Sequence, residues 1–345
     1  PVLGSGSYFF ETDGSAVILG EPRGFFVRLD DTMKQAATLL IFCLVGSFLL
    51  LEAADKKSQR ELTLFFTGYV QGNFEPCGCK SGPYGGLARR AGYISDYQKS
   101  RGGSSIQVDA GNYFQMIGPY SDVVNRLMLD SLEVFPVQVL NLGSEDLMFW
   151  SKLSEASFAS TQVISTNLVR SNTSLPSPKR YAMVQIPADS GTTGTPLKIG
   201  FLGLIDPARV KPRSGFRGRD PFEVLAEVVP ELSGKVDLIV VLADLPRKLA
   251  IEVARKHSEV GAVLVAERGS RVEEAVRVNN AIIASGVDRG RFLGELILNL
   301  DQKGKVVRWD SEYVALKEGM TEDPVWLERQ AEVARHLYGS PGAAD

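Results

Sequence analysis

The sequence predicts an α/β fold. Short β-rich runs alternate with amphipathic helical stretches along most of the 345-residue chain, a pattern typical of α/β proteins. Two of the runs are almost entirely apolar, as buried sheet strands are: residues 260–266 throughout, and residues 236–242 apart from Asp237. With 44% hydrophobic residues, the chain has enough apolar mass for one large or two ordinary domains. In such folds we expect function in the loops that follow the carboxyl ends of the strands.

The individual elements are predicted from the spacing of apolar residues and from the turn residues that separate one run from the next. Strands are predicted where β-branched and apolar residues run for five to ten positions between turn residues, at 62–67, 105–109, 136–142, 163–167, 181–186, 197–204, 236–242, 260–266, 281–285, 293–300 and 306–314. Helices are predicted where apolar residues recur at helical spacing, at 87–100, 121–134, 221–232, 246–257 and 324–338. We detect no internal repeat.

The charge balance argues against a nucleic-acid partner. Lys and Arg number 38 against 41 Asp and Glu, which leaves a net charge of −3. A protein that binds nucleic acid through a basic surface carries the opposite excess. One basic run at residues 209–219, which includes Arg209, lies in a predicted loop. Such a run indicates a solvated face or a docking surface for an acidic partner.

The first methionine, Met33, opens a segment typical of export. Lys34 is followed by sixteen uncharged residues, 36–51, and then by small residues before Asp55. This pattern predicts a secretory signal peptide over 33–54 and a periplasmic or extracellular protein, with an uncleaved membrane anchor as the alternative. Residues 1–32 precede that methionine and are interpreted as a non-native extension. We expect one domain over 55–316, then a linker and a C-terminal helix over 317–345.

Beyond the signal, two cysteines remain, Cys77 and Cys79. In an oxidising compartment such a pair can form a structural staple or a small, strained, easily reduced disulfide. It can also hold one soft metal ion such as Cu or Zn with a third ligand from elsewhere. Glu75 lies beside the pair as a candidate proton acceptor. The spacing alone leaves these three interpretations open.

Five strand-end segments carry a resemblance to a known family. They are LTLFFTGYVQGN at 62–73, QVDAGNYF at 107–114, VLNLGSED at 139–146, DLIVVLAD at 237–244 and VLVAER at 263–268. Their order resembles the calcineurin-like metallophosphoesterases, in particular the N-terminal domain of 5′-nucleotidases. The resemblance is most specific at EPCGC (75–79) and GGLARR (85–90). It covers roughly 61–314 and implies a four-layer α/β/β/α sandwich.

That family's chemistry uses two metal ions held by Asp, His and Asn, with a bridging hydroxide that attacks a phosphoester. Carried over position by position, the resemblance implies that nearly every ligand is replaced here. The residues at those positions are Tyr69, Gln71, Asn112, Ser144, Glu145, Asp244 and Glu267. The chain's two histidines, His257 and His336, are also too few for a His-rich site. We therefore expect no dinuclear Mn, Fe or Zn centre.

Two further features bear on ligands. The carboxylates Glu145, Asp146, Asp244 and Glu267 could form an oxygen-only Mg or Ca site, or simply cap helices and face solvent. Gly85 and Gly86 open a helix that carries Arg89 and Arg90. Amides and guanidinium groups at a helix start suit an anion such as phosphate or carboxylate. Alternatively, the two glycines serve only a tight turn.

Three functions remain in competition. The first is a non-hydrolytic exported protein that acts through Cys77 and Cys79, in thiol exchange or soft-metal handling. The second is a non-catalytic subunit with an exported protein partner. The third is a phosphoester hydrolase that uses a rebuilt carboxylate site, which Asp244→Ala would abolish. The sequence leaves the oligomeric state open.

Overall fold

The structure is a computed structural model. It describes residues 60–338 except 79–81, 116–117, 119, 136, 154–159, 173, 188–194, 270–272 and 287. The chain divides into two compact units, Pro1–Lys57 and Ser58–Asp345, and every described residue belongs to the second. The predicted extension (1–32), the predicted signal peptide (33–54) and Cys79 lie outside the described residues.

The described part contains strands and helices in alternation. The strands are β1 (Arg60–Thr67), β2 (Ser104–Asp109), β3 (Val139–Asn141), β4 (Gln162–Ile164), β5 (Leu168–Arg170), β6 (Tyr181–Ile186), β7 (Leu197–Ile205), β8 (Phe216–Gly218), β9 (Leu238–Asp244), β10 (Val260–Ala266), β11 (Val276–Val278), β12 (Ala281–Gly286), β13 (Phe292–Leu300) and β14 (Val306–Ala315). The helices are α1 (Leu87–Arg101), α2 (Ser121–Val134), α3 (Trp150–Leu153), α4 (Pro221–Ser233), α5 (Arg247–Lys256) and α6 (Pro324–Tyr338).

Two six-stranded sheets form the centre of the molecule. The first has the order β14-β13-β1-β2-β3-β4 and the second the order β11-β12-β10-β9-β7-β6. In both sheets the middle strands are parallel, and antiparallel strands lie at the margins: β13 and β14 in the first, β6 and β11 in the second. Parallel strands bring their carboxyl ends to one edge, which is where loops can converge on a site.

The layers follow from the alternation of side chains along each strand. On β1, Leu64 and Phe66 pack into the core between the sheets, with residues such as Val240 of β9. Phe65 points the other way and packs with Ile94 of α1. Helices α1, α2 and α6 cover the first sheet, and α4 and α5 cover the second. The predicted four-layer α/β/β/α sandwich is therefore confirmed.

Most predicted elements appear near their expected bounds. The helices predicted at 121–134 and 324–338 have those bounds. The strand predicted at 236–242 instead runs from Leu238 to Asp244, so Asp244 is the last residue of a strand rather than part of a loop. Within the described part of the chain, no helix is both long and apolar enough to cross a bilayer.

Candidate functional site

The strand ends of the two sheets meet closely enough to require glycine. A Cβ on Gly68, just after β1, would lie 2.8 Å from the Cα of Ala266 at the end of β10. A Cβ on Gly143, after β3, would lie 2.4 Å from the backbone nitrogen of Asn112, after β2. Real side chains do not tolerate such contacts. These glycines let the loops after β1, β2, β3 and β10 converge at one edge of the sandwich.

Three residues in these loops adopt left-handed backbone conformations. Tyr69, Gln71 and Asn112 have φ angles of 60°, 53° and 62°. The conformations are held by main-chain hydrogen bonds: the Tyr69 nitrogen donates to Gly111 O at 2.8 Å and the Gln71 nitrogen to Asn112 O at 2.9 Å. Non-glycine residues rarely adopt this region, and clusters of them are typical of functional sites.

Glu145 is the centre of the polar cluster at this edge. Its carboxylate accepts hydrogen bonds from the Tyr69 hydroxyl at 2.7 Å, from Gln71 Nε2 at 2.5 Å and from Arg268 Nη2 at 3.3 Å. The Arg268 guanidinium also lies over the Tyr69 ring, 5.3 Å from its centroid. Burial raises the pKa of Tyr69, and the hydrogen bond to Glu145 raises that pKa further. The phenol therefore stays protonated and acts as a donor.

Asn112 and Asp146 organise the backbone beneath Glu145. Asn112 Oδ1 accepts the Glu145 backbone N–H at 2.8 Å, while its buried Nδ2 has no partner among the described residues. Asp146, fully buried, accepts the backbone N–H groups of Asn112, Phe114 and Gly143. Burial raises the pKa of Asp146 to about 8, against the effect of these three donors. Asp146 therefore orders the loops after β2 and β3.

Asp244 is neutralised by an arginine that sequence reasoning assigned to a solvated run. The Asp244 carboxylate is fully buried, and it accepts the Ser144 backbone N–H at 2.7 Å and Arg209 Nη1 at 2.7 Å. Arg209 follows the end of β7, a strand that pairs with β9. Its position after a strand end was the one signal in the sequence that could have indicated this role.

A dinuclear metal centre does not fit these side chains. Oxygens of Glu145 and Asp244 are engaged by N–H and O–H donors, and two arginines supply positive charge. Asn112 offers a buried N–H donor, which repels a cation. Among the described residues, no three His, Cys, Asp or Glu side chains come close enough to hold a metal ion. Glu267 makes no hydrogen bond to this cluster within the described chain.

Cys77 lies at the rim of the same edge and is disulfide-bonded. The other cysteines of the chain, Cys43 and Cys79, lie outside the described residues. The Cys77 backbone N–H donates to Tyr84 O at 2.8 Å, and the Tyr84 N–H donates to Cys77 Sγ at 3.4 Å. Half-buried Cys77 borders a cavity of about 460 Å³ that is also lined by Glu75, Gln71, Glu145, Arg268 and Arg289. The cysteine and the strand-end cluster therefore share one space.

At the predicted anion site, the two arginines already make hydrogen bonds within the protein. Arg89 donates to Glu322 at 2.9 Å and to Pro83 O at 2.6 Å, and Arg90 donates to the Tyr113 hydroxyl at 3.0 Å. Both arginines are buried. Gly85 and Gly86 have φ angles of 95° and 102°, which a tight turn into α1 requires. Anion binding at this turn stays a prediction.

Comparison with known proteins identifies similar folds. No family model matches the chain. An uncharacterized metallophosphoesterase of Bacillus subtilis, YunD, is 26% identical over 217 residues, which are 63% of this chain and 43% of YunD. The chain thus spans less than half the length of this curated relative.

Solved structures also resemble the chain, among them the following three. A 5′-nucleotidase precursor from Thermus thermophilus aligns with a TM-score of 0.66 and 21% identity, over 80% of this chain and 59% of that one. The calcineurin-like phosphoesterase YfkN of Bacillus subtilis gives 0.65 and 15%, over 81% and 98%. The Thermus thermophilus sulfate thiohydrolase SoxB gives 0.67 and 15%, over 80% and 61%.

Proposed function

We propose that this chain, which has the calcineurin-like metallophosphoesterase fold, is an exported protein that exchanges thiols and disulfides through Cys77 and Cys79 instead of hydrolysing phosphoesters. One observation carries the proposal. The disulfide-bonded Cys77 borders the cavity at the carboxyl edge of the sheets, together with Gln71, Glu145 and Arg268. In this fold that edge is where a reactive group has access to a ligand.

The loss of hydrolytic chemistry is supported by the way the charges are compensated. A buried carboxylate needs a positive partner, and Asp244 has Arg209 as that partner. Glu145 has Arg268 together with two neutral donors. The Glu145 and Asp244 carboxylates at this edge are thus each paired with an arginine, without a metal ion.

The exchange step uses the Cys77–Cys79 disulfide of the proposal. A substrate thiolate attacks Cys77 Sγ; a bond forms between the two sulfurs, and the bond to Cys79 breaks as Cys79 leaves as a thiolate. A second substrate thiolate attacks the substrate sulfur, and Cys77 leaves as a thiolate. Two substrate thiols thereby become one disulfide, and their two electrons and two protons pass to the cysteines.

The Tyr84 N–H assists the second step. It already donates to Cys77 Sγ at 3.4 Å, and a hydrogen bond to sulfur stabilises the thiolate more than the disulfide. Cys77 is therefore a good leaving group in the step that releases the substrate disulfide and leaves the protein as the dithiol.

Export is part of the proposal, since a stable disulfide needs an oxidising compartment. The basic start at Lys34 and the apolar run at 36–51 support it. We propose a periplasmic or extracellular location.

The experiment traps the reaction intermediate. The purified protein is incubated with a small thiol, quenched with acid and measured as an intact mass. We expect a mixed disulfide on wild type, with its peptide mapped to Cys77. Cys79→Ser has no disulfide to exchange, so it is incubated instead with the disulfide form of the same thiol; Cys77 attacks it, one thiolate leaves, and the adduct at Cys77 should be stable because the resolving cysteine is absent. The variant Cys77→Ser is the matched control and should give no adduct at position 77.

A parallel arm tests the competing functions. The same preparation, made without chelator, is analysed for bound metals and assayed for phosphoester hydrolysis with added Mn, Zn and Mg. Metal-dependent turnover that Asp244→Ala abolishes would contradict the proposal and support the hydrolase. One Cu or Zn ion lost with both cysteines would support soft-metal handling instead. Cysteines that react only after unfolding would support a structural staple in a non-catalytic subunit.

A further inference from the structure

The cavity beside Cys77 carries two arginines. Arg268 and Arg289 line the same space of about 460 Å³ that Cys77 borders. A space of this volume accommodates a small molecule. The reacting partner that fits beside Cys77 is therefore a small thiol.

Arg268 is held in place and still has donors to offer. Its guanidinium lies 5.3 Å from the Tyr69 ring centroid, and its Nη2 donates to Glu145 at 3.3 Å. These are its only contacts of this kind among the described residues, so most of its five N–H groups remain available. The side chain is 72% exposed. A planar guanidinium positioned in this way matches the two oxygens of a carboxylate.

The bond between Arg268 and Glu145 is easily exchanged for a ligand. The Arg268 side of this ion pair is exposed, although Glu145 is only 13% exposed, and water competes with Glu145 for the guanidinium. Glu145 also keeps its hydrogen bonds from Tyr69 and Gln71 when Arg268 turns away. An anion can therefore recruit Arg268 without leaving the Glu145 carboxylate unsatisfied.

We infer that this cavity selects small thiols that carry a second, negatively charged group such as a carboxylate, and that Arg268 recognises that group. The inference rests on the exchange function proposed above and names the substrate class of the same site. Arg289 adds positive charge to the same lining. The thiol reacts at Cys77 while its anionic group is held by Arg268.

The test compares three thiols of similar size: 3-mercaptopropionate, 2-mercaptoethanol and cysteamine. The rate of disulfide reduction in the folded protein is measured by acid quench and alkylation, at equal thiolate concentration and after correction for thiol basicity. We expect the anionic thiol to react about two- to fivefold faster than the neutral one, the gain of one partly exposed ion pair. Cysteamine should be the slowest.

Variants and salt isolate the role of Arg268. Arg268→Gln should bring the ratio between the anionic and neutral thiols close to one, and Arg268→Lys should keep part of it. The matched control, Arg308→Gln on the exposed face of β14, should leave all three rates unchanged. In wild type, raising the salt concentration from about 50 to about 500 mM should shrink the ratio, because screening weakens the ion pair.

The outcomes separate this inference from the function on which it rests. If all three thiols react at the same corrected rate, or if a protein dithiol reacts fastest whatever the state of Arg268, the selectivity is overturned while exchange survives. If no thiol reduces the folded protein, the exchange function itself fails. A ratio that persists in Arg268→Gln would assign the recognition to another residue and contradict the role of Arg268.

Discussion

Asp109, the last residue of β2, is a carboxylate in a fully buried position. It accepts hydrogen bonds from the Thr67 hydroxyl at 2.6 Å and the Gly111 N–H at 2.8 Å. Burial nevertheless raises the pKa of Asp109 to about 6, from 3.8. Between these values the folded state binds more protons than the unfolded state. The contribution of Asp109 to the free energy of unfolding is therefore greatest below about pH 4 and falls as the pH rises through about 6.

This sign is testable with an isosteric change. Asp109→Asn keeps the acceptor for Gly111, and the Thr67 hydroxyl can rotate to accept the new amide. Wild type loses the Asp109 contribution as the pH rises, and the variant does not. Relative to wild type, the unfolding free energy of the variant should therefore increase by roughly 2–3 kcal/mol from about pH 4 to about pH 7. Urea denaturation at several pH values measures it. Asp96→Asn, on the exposed face of α1, is the control, and an unchanged difference across this range would contradict the account.

Arg209 offers a second residue-level test. Arg209→Ala leaves the fully buried Asp244 side chain with the Ser144 N–H as its one remaining hydrogen-bond donor among the described residues. We expect a loss of about 2–3 kcal/mol in unfolding free energy, since an unpaired buried charge is costly. Arg213→Ala, an exposed arginine of the same run, should change stability by less than about 0.5 kcal/mol. Equal losses in the two variants would show that Arg209 is an ordinary surface residue.

Residue roles were only partly predictable. Tyr69, Gln71, Asn112, Glu145 and Asp244 follow strand ends in the sequence, so a shared edge could be expected. The ion pairs of Arg209 with Asp244 and of Arg268 with Glu145 could not be predicted, because the paired residues are remote in sequence and their contact depends on how the loops fold. The hydrogen bonds by which Asp146 holds three backbone N–H groups depend on the same loops.

At the scale of elements, α6 holds the segment that leads to Cys77. Gln330 is buried on α6; its Nε2 donates to Phe74 O, and its Oε1 accepts the Ala88 N–H at 3.3 Å. Trp326, one turn earlier, is almost fully buried against the same region. The C-terminal helix is thereby joined to both sides of the loop between β1 and α1.

Removal of the two Gln330 hydrogen bonds should make residues 74–77 more mobile. Gln330→Ala leaves the buried Ala88 N–H without its partner and removes one of the two hydrogen bonds at Phe74 O, which keeps the Leu87 N–H, so we expect a loss of about 1–3 kcal/mol. Hydrogen exchange should accelerate at residues 74–77 and in α6, and the Cys77 disulfide should be reduced faster. Gln98→Ala removes an exposed glutamine of α1 and serves as the control. If hydrogen exchange at residues 74–77 is unchanged in Gln330→Ala, α6 does not stabilise these residues through Gln330.

The elements themselves were largely predictable where the pattern is long. Helices 121–134 and 324–338 carry several turns of apolar periodicity. The strand predicted at 163–167 ends at Ile164, because Thr166 and Asn167 turn their side chains to the main chain of Arg180 and Ile205. β8 and β11 have three residues each, too few for a pattern to stand out.

At the scale of the molecule, the two-sheet sandwich was predicted from the family resemblance. The alternation of strands and helices predicts an α/β fold but does not give the number of layers. The run at 260–266, and the run at 236–242 apart from Asp237, did indicate strands buried on both faces. In the structure β9 and β10 lie between the inter-sheet core and the helices α4 and α5. The chemistry at the shared edge depends on the loops, and the spacing of apolar residues carries no information about it.

The central claim is that the Cys77 disulfide is chemically active in the folded protein. The most direct measurement equilibrates the purified protein across glutathione redox buffers, traps free thiols by alkylation and follows circular dichroism in the same samples. The account predicts a reversible two-electron transition at Cys77 and Cys79 while the fold persists. A disulfide that stays oxidised until the protein unfolds, or thiols that never pair, would contradict it.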